Sequence, residues 1–469
     1  MNPLKGLQGQ GQSVWLDYIR RSLLTSGGLD RMIEEDGLRG VTSNPAIFEK
    51  AITGSTDYTE ILGTLAPQYQ DAKALYEQVA IRDIQDAADV LRPVYEQTNR
   101  RDGYVSLEVS PYLAHETQGT LEEGRRLWRA VGRDNLMIKV PAAPEGIPVV
   151  EQLISEGVNV NVTLLFSQDV YERVAKAFIA GLAKRAAQGG DLNHVASVAS
   201  FFISRIDTAI DAMLASKLKT ATVASERALL RSLLGKVAIA NAKLTYQRYK
   251  ELFRGDAWQS LANKGAQTQR VLWASTSTKN PNYRDVVYVE ELIGRDTVNT
   301  IPPATFDGFR DHGRVRESLT EGLEEAHDTM EALEQVGISM TEVTDRLLKE
   351  GVQVFAEAFD KLLAAVDKTR QASMTPKINH QTYTLPKDLA AEVKASLDEW
   401  RAEHKVRRLW ARDATLWTGT DEGNWLGWLG ITEDQLAQSQ HLKSTAEEVR
   451  RAGFSHALLL GMGGSSLGP

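Results

Sequence analysis

Short apolar-rich runs alternate along this chain with longer stretches in which apolar residues recur three and four positions apart. The short runs are Ser13–Asp17, Gly40–Asn44, Tyr104–Ser110, Leu136–Ala142, Val158–Phe166, Ala196–Phe202, Arg270–Thr276 and Thr297–Pro303. Their length and β-branched content predict strands, whereas Thr120–Val131, Ile147–Glu156, Gln168–Ala187 and Ser225–Phe253 carry the period of amphipathic helices. Strands that alternate with helices build a parallel sheet, since a parallel neighbour is reached only through a crossover connection. Eight such strands predict a closed α/β barrel. Two further helical segments, Arg316–Val336 and Thr341–Arg370, follow the last run.

Parity inside the strands adds chemistry. In Val158–Phe166 every even position is apolar, and Asn159, Asn161 and Thr163 share the other face. Ser106, Glu108 and Ser110 line up in the same way, and Met137 and Lys139 oppose Leu136, Ile138 and Val140. In an antiparallel sheet a polar face can simply look at water. Parallel strands covered by helices have no wet face, so these side chains are expected inside the barrel or at its mouth. A carboxylate, an amine, amides and a hydroxyl would then converge.

Lys139 stands in the middle of an apolar strand, where a charged ammonium costs several kcal/mol unless it is paired or loses its proton. One reading makes it a nucleophile that forms an imine with a carbonyl substrate. The other makes it a strand lysine whose stem snorkels past apolar neighbours, or a guard on a sheet edge. The run by itself does not choose between them.

Composition narrows the field. At 469 residues the chain has room for a barrel and a smaller additional piece. Its 42% hydrophobic and 25% charged residues are those of a soluble globular protein. The formal charge, 54 − 62 = −8, is spread over interspersed acidic and basic residues. That pattern offers neither a nucleic-acid stripe nor a polybasic membrane patch, so a small molecule is the expected partner. The absence of cysteine removes disulfides, thiolate nucleophiles and cysteine-based metal sites, and the 8 histidines lack ligand spacing. No metal and no cofactor are expected. Met1–Gln12 is polar and no apolar run nears spanning length, so a cytosolic location is expected; a monomer and a homodimer both stay open.

Five stretches taken together resemble the transaldolase family: Val14–Asp17, Gly40–Pro45, Val105–Val109, Met137–Pro141 and Glu156–Ser167, in the family's order and within the first four fifths of the chain. The resemblance implies a (β/α)8 barrel whose fourth-strand lysine, Lys139, forms a Schiff base with a ketose phosphate. It implies that Asp17 moves the proton of the C4 hydroxyl, that Glu108 and Thr163 hold the water of imine formation, and that Asn44 and Asn161 bind the dihydroxyacetone hydroxyls, with Thr42 in support. For the phosphate it implies Ser200 and Arg205 in the sixth-strand segment and Ser275 in the seventh. Many members carry an arginine two residues after that serine; here Ser277 stands there and Lys279 is the nearby cation. The residues also admit plainer uses: Asp17 as a helix N-cap, Asn44 and Asn161 as loop hydrogen-bonders, Glu108 at a surface rim and Lys279 as a solvated loop lysine. The implied activity is transfer of a dihydroxyacetone unit between sugar phosphates such as sedoheptulose 7-phosphate or fructose 6-phosphate and glyceraldehyde 3-phosphate or erythrose 4-phosphate. The alternative is a fructose-6-phosphate aldolase that releases free dihydroxyacetone.

The composition changes after Arg370. Residues 1–370 are expected to form the barrel, 371–386 a linker, and 387–469 an incomplete α/β segment. Trp400, Trp410, Trp417, Trp425 and Trp428 are expected in a core or interface rather than as a base-stacking platform, because the region is not basic. An apolar run from Phe454 to Leu460 leads into Gly461–Pro469, a strand followed by a glycine-rich loop. This is similar to the sugar-phosphate loop of glucose-6-phosphate isomerase. A fusion interrupted at that loop is expected, without isomerase activity; a flexible glycine-rich tail is the simpler alternative.

Overall fold

Each of the eight apolar-rich runs is a strand in the computed structural model, which describes residues 2–374 and 385–456. The strands are β1 (Gln12–Leu16), β2 (Gly40–Thr42), β3 (Tyr104–Glu108), β4 (Leu136–Pro141), β5 (Val160–Leu165), β6 (Ser197–Phe202), β7 (Arg270–Ala274) and β8 (Thr297–Ile301). They close into a barrel in sequence order, and β1 pairs in parallel with both β2 and β8. The expected (β/α)8 barrel is therefore the observed fold. Closure leaves no edge strand, which removes the edge-guard reading of Lys139. All residues of β4 and β5 are buried, since helices cover the outside of the sheet.

Close packing fixes individual positions. Trp15 pairs with Gly40 across β1 and β2, and a Cβ at Gly40 would lie 2.5 Å from the Trp15 indole, so only glycine fits beneath that ring. The segment Ser225–Phe253, expected as one helix, is two: Ala224–Leu233 and Val237–Leu252. Gly235 between them has φ +69°, its N–H donates to Asp211 Oδ1 at 3.0 Å, and the Tyr283 ring occupies the space a Cβ would need. The segment expected from Arg316 begins its helix only at Leu323, after Gly322 at φ +61°.

The N-terminal end of the barrel is closed by an ion pair that serves stability. Arg270 donates to Asp102 Oδ1 at 2.8 Å and to Ser13 Oγ at 2.7 Å, and the Trp15 indole N–H donates to the same Asp102 Oδ1 at 3.1 Å. Burial works to raise the Asp102 carboxyl, but Arg270 and the Ser13 and Trp15 donors overcome it and hold it below the usual carboxylate range. Arg270→Met should strand that carboxylate and cost about 3–5 kcal/mol at neutral pH in urea unfolding. Because the folded carboxyl is depressed, its contribution is present above the ordinary carboxylate range and lost as pH falls through the folded value. The gap between the variant and the natural chain should therefore close in acid. A gap independent of pH would show that Asp102 does not carry it.

The helix Met340–Met374 packs against the helices Pro45–Thr53, Ala72–Gln97 and Ser204–Thr220 and against β5. Its Phe355, Phe359, Leu362 and Val366 are buried.

The chain separates into two compact units, residues 1–377 and 378–469. In the second, the described residues form helices that include Lys387–Ala402, Ile431–Ala437 and Ser439–Arg451. Its tryptophans correct the core expectation: Trp410, Trp425 and Trp428 are 63%, 69% and 60% exposed, and Trp400 and Trp417 are exposed as well. Leu426 and Leu429 are the buried large apolar residues among the described residues of this unit, too few to cover five indoles. Most of the expected linker, and the glycine-rich loop Gly461–Pro469, lie outside the described residues. Among the described residues no helix is long and apolar enough to cross a membrane.

Candidate active site

Register places the reactive types side by side. Glu108 on β3 is the direct partner of Lys139 on β4, and Lys139 is in turn the partner of Asn161 on β5. Lys139 is 3% exposed; its Nζ donates to the Ser43 carbonyl at 3.1 Å and lies 3.3 Å from Glu108 Oε2. Beyond that ion pair the buried Glu108 oxygens have no hydrogen-bond partner. Burial raises the Glu108 carboxyl, against the pull of Lys139. The amine is nevertheless not sealed in. It lines a cavity of about 540 Å³ at the C-terminal ends of the strands, the end where barrels of this kind place their chemistry.

Asp17 follows β1 directly, with its N–H on the Ile301 carbonyl at 3.0 Å, and it lines the same cavity. It caps no helix: the next one starts at Arg21 behind Arg20. Its Oδ1 accepts from Thr42 Oγ1 at 2.7 Å, and Thr42 Oγ1 also lies 2.7 Å from Thr300 Oγ1. Burial raises the Asp17 carboxyl, while Lys139 and the Thr42 hydrogen bond oppose the rise. Asn44 does cap a helix, accepting from the Ile47 N–H at 3.0 Å, and still lines the cavity.

Asn161 lies one layer deeper. Its Nδ2 donates to Ser106 Oγ at 3.0 Å and its Oδ1 accepts from Ser200 Oγ at 2.6 Å, so three strands fix the amide's orientation. Ser200 and Thr163 both reach the cavity, and Thr163 Oγ1 is buried without a hydrogen-bond partner. Between Val162 and Leu165 the register of β5 slips, and Leu164 takes φ +62°, a conformation that costs a branched residue energy.

Three cations rim the cavity. Arg205 opens the helix Ser204–Thr220, Lys279 lies in the loop after β7, and Lys50 stands in the last turn of Pro45–Thr53. None is ion-paired with a carboxylate among the described residues, which suits an anionic ligand. Lys279 donates to Ser277 Oγ at 2.7 Å; burial lowers its ammonium, and Arg205 and Lys50 lower it further. Ser275, at φ +57°, lines the rim with its Oγ 3.0 Å from Ser204 Oγ. Sequence reasoning missed Ser43, Lys50, Thr300 and Phe355. Ser43 and Thr300 lie within or beside strand ends and could have been found there; Lys50 stands in the helix Pro45–Thr53 and Phe355 in the distant C-terminal helix, and neither carries a strand signal.

Two residues beyond Arg205, Asp207 accepts from the Ala238 N–H and the Tyr288 hydroxyl, each at 2.8 Å, with Asp211 as its charged neighbour. Burial pushes its carboxyl up to about 7. A raised carboxyl binds a proton that the unfolded chain has released, so its contribution is lost as pH climbs from about 4 to 7. Asp207→Asn should therefore unfold at a higher temperature than the natural chain at pH 8, with no advantage at pH 4. Equal melting temperatures at pH 8 would show that the folded carboxyl is not raised.

Among the described residues no cluster of metal-ligating side chains is present. A parallel eight-strand barrel with a mouth cavity, a buried amine opening into it and a cationic rim defines a (β/α)8-barrel enzyme acting on an anionic substrate. Comparison with known proteins makes this specific. The model of the transaldolase/fructose-6-phosphate aldolase family matches residues 14–366. A transaldolase from Trichodesmium erythraeum is 47% identical over 377 residues, covering 80% of this chain and 99% of the relative. One from Thiobacillus denitrificans is 47% identical over 366 residues, covering 78% of this chain and 100% of the relative. A third, from Neisseria gonorrhoeae, is 44% identical over 364 residues, covering 78% and 99%. The chain belongs to the transaldolase/fructose-6-phosphate aldolase family.

Proposed function

We propose that this chain is a transaldolase: a transferase that moves a dihydroxyacetone unit from a ketose phosphate to an aldose phosphate through an imine on Lys139. The observation that carries the reading is the Lys139 amine, 3% exposed yet lining the mouth cavity. The transaldolase relatives support the same activity. In this reading Nζ adds to the C2 carbonyl of fructose 6-phosphate or sedoheptulose 7-phosphate, and the carbinolamine loses water to give an iminium. The C3–C4 bond breaks as Asp17 takes the C4 hydroxyl proton, and its electron pair enters the iminium to leave an enamine. The aldose phosphate departs, a second one binds, and the same steps run backwards. Glu108 and Thr163 are assigned to the water that leaves and returns, a role supported by their buried oxygens having no hydrogen-bond partner. Asn44 is assigned to the three-carbon hydroxyls, with Thr42 holding Asp17; Asn161, which does not line the cavity and is held by Ser106 and Ser200, is assigned to support Ser200 from the layer below. No cofactor or metal is part of this proposal.

Ser200, Ser275, Arg205 and Lys279 are assigned to the sugar phosphate at the rim. Arg205→Ala should raise the KM for phosphorylated sugars by about 10- to 100-fold, the loss expected for a charge-assisted contact, with little change in melting temperature. An unchanged KM would remove Arg205 from the phosphate site. The test of the activity itself supplies fructose 6-phosphate and erythrose 4-phosphate and looks for sedoheptulose 7-phosphate and glyceraldehyde 3-phosphate. Free dihydroxyacetone formed at the same rate with and without the acceptor would favour the aldolase alternative instead.

Residues 1–370 are assigned to the catalytic barrel, 371–386 to a connector and 387–469 to a glucose-6-phosphate isomerase-like segment. The last assignment rests on the sequence from Phe454 to Pro469. Mass measurement of the native product tests it: a protein ending at Pro469 would contradict a full fusion. A cytosolic, pentose-phosphate setting is proposed on the substrate class alone.

A further inference from the structure

Phe355 is the cavity-lining residue that comes from outside the barrel's own βα loops. It sits on the helix Met340–Met374, is 4% exposed, and its ring centroid lies 5.8 Å from Lys139 Nζ and 5.8 Å from the Arg205 guanidinium carbon. The same guanidinium carbon lies 5.1 Å from the centroid of the Phe202 ring. One ring thus serves both the amine and the cation of the rim, the geometry in which an aromatic face attracts a positive charge.

The approach of this helix is built in at two further points. Gly351 lies one turn before Phe355 on the same helix face. A Cβ there would come 2.9 Å from Leu164 and 3.5 Å from Arg205. Leu164 is the residue held at φ +62° where the register of β5 slips, next to Thr163. Strain at the end of β5 thus meets a glycine that admits it, one turn from Phe355 on the same helix.

We infer that Phe355 is a positioning residue that sets the partition between transfer and release, by roofing the Lys139 imine against water and by holding Arg205 in place for the acceptor's phosphate. The inference rests on the transaldolase reading above. Release first protonates the enamine at C3 with the proton that Asp17 took; one water then adds to the iminium carbon, the carbon–nitrogen bond breaks, and free dihydroxyacetone and the lysine amine result. Transfer also ends with one water adding to an iminium carbon, but only after the acceptor aldehyde has bonded to C3, so a ring that keeps bulk water from the three-carbon intermediate while keeping the anion site ordered favours transfer.

The test measures dihydroxyacetone release without acceptor and sedoheptulose 7-phosphate formation with erythrose 4-phosphate, together with borohydride trapping of the lysine adduct. Phe355→Ala should raise the release-to-transfer ratio by about tenfold, the effect that loss of a desolvated cation–π contact allows, and raise the KM for erythrose 4-phosphate. Phe355→Leu, which keeps apolar cover but not the aromatic face, should restore low release while keeping the raised KM. Gly351→Ala, which lifts the helix, should shift the ratio in the same direction as Phe355→Ala. A folding defect lowers both rates together and leaves the ratio unmoved. An unchanged ratio in Phe355→Ala with the adduct still trapped on Lys139 would overturn the inference alone. No adduct in the natural chain would overturn the imine reading and this inference with it.

Discussion

Lys139→Arg is expected to abolish turnover, a loss on the order of 10⁴-fold or more, while the barrel stays folded. Arginine keeps a positive charge beside Glu108 and can still donate toward the Ser43 carbonyl, so the ion pair at 3.3 Å and the contact at 3.1 Å have a replacement. It cannot surrender a proton at any accessible pH and cannot form an imine. Lys139→Ala should be equally inactive but less stable, because it leaves Glu108 buried without its cation. Transfer activity measured beside thermal unfolding separates the two effects. Turnover by either variant above background would refute the assignment of Lys139.

The second large effect belongs to Asp17. Asp17→Ala should lower kcat by about 10²- to 10⁴-fold, the range for a positioned acid–base group, and still accumulate the substrate imine, because bond cleavage is the step it serves. Its carboxyl is raised by burial, so the ionised form needed to accept a proton appears only above the ordinary carboxylate range. The acid limb of kcat in the natural chain should reflect that shift. Thr42→Val, which removes the hydrogen bond at 2.7 Å that favours the ionised form, should move the limb to higher pH. Unchanged turnover in Asp17→Ala would leave Asp17 no role in cleavage.

The barrel was legible because its evidence is local and repeated: each strand announces itself by a short apolar run, and the strands pair in sequence order. The alternation in β5 correctly placed Asn159, Asn161 and Thr163 on one face, but a face has no depth. Asn159 donates to the Asp134 and Leu136 carbonyls, Asn161 is locked in the belt with Ser106 and Ser200, and only Thr163 reaches the mouth. The slip at Leu164 was invisible because two adjacent leucines look the same in either register. The uses set against each other for Asn44 proved compatible, since one side chain both caps a helix and lines the cavity. Phe355 was out of reach, its position depending on a whole helix returning to the barrel rather than on any neighbour in sequence. The core expectation for the tryptophans failed because composition favours burial, whereas burial needs partners that the described part of the second unit does not supply.

The central claim is that the amine of Lys139 bonds to the keto carbon of the substrate. Incubation with fructose 6-phosphate and borohydride, followed by digestion and mass mapping, reads that bond directly. The account predicts a reduced dihydroxyacetone or sugar adduct on the peptide containing Lys139 and on no other lysine. An unmodified Lys139, or an adduct located instead on Lys279 or Lys50, would contradict it.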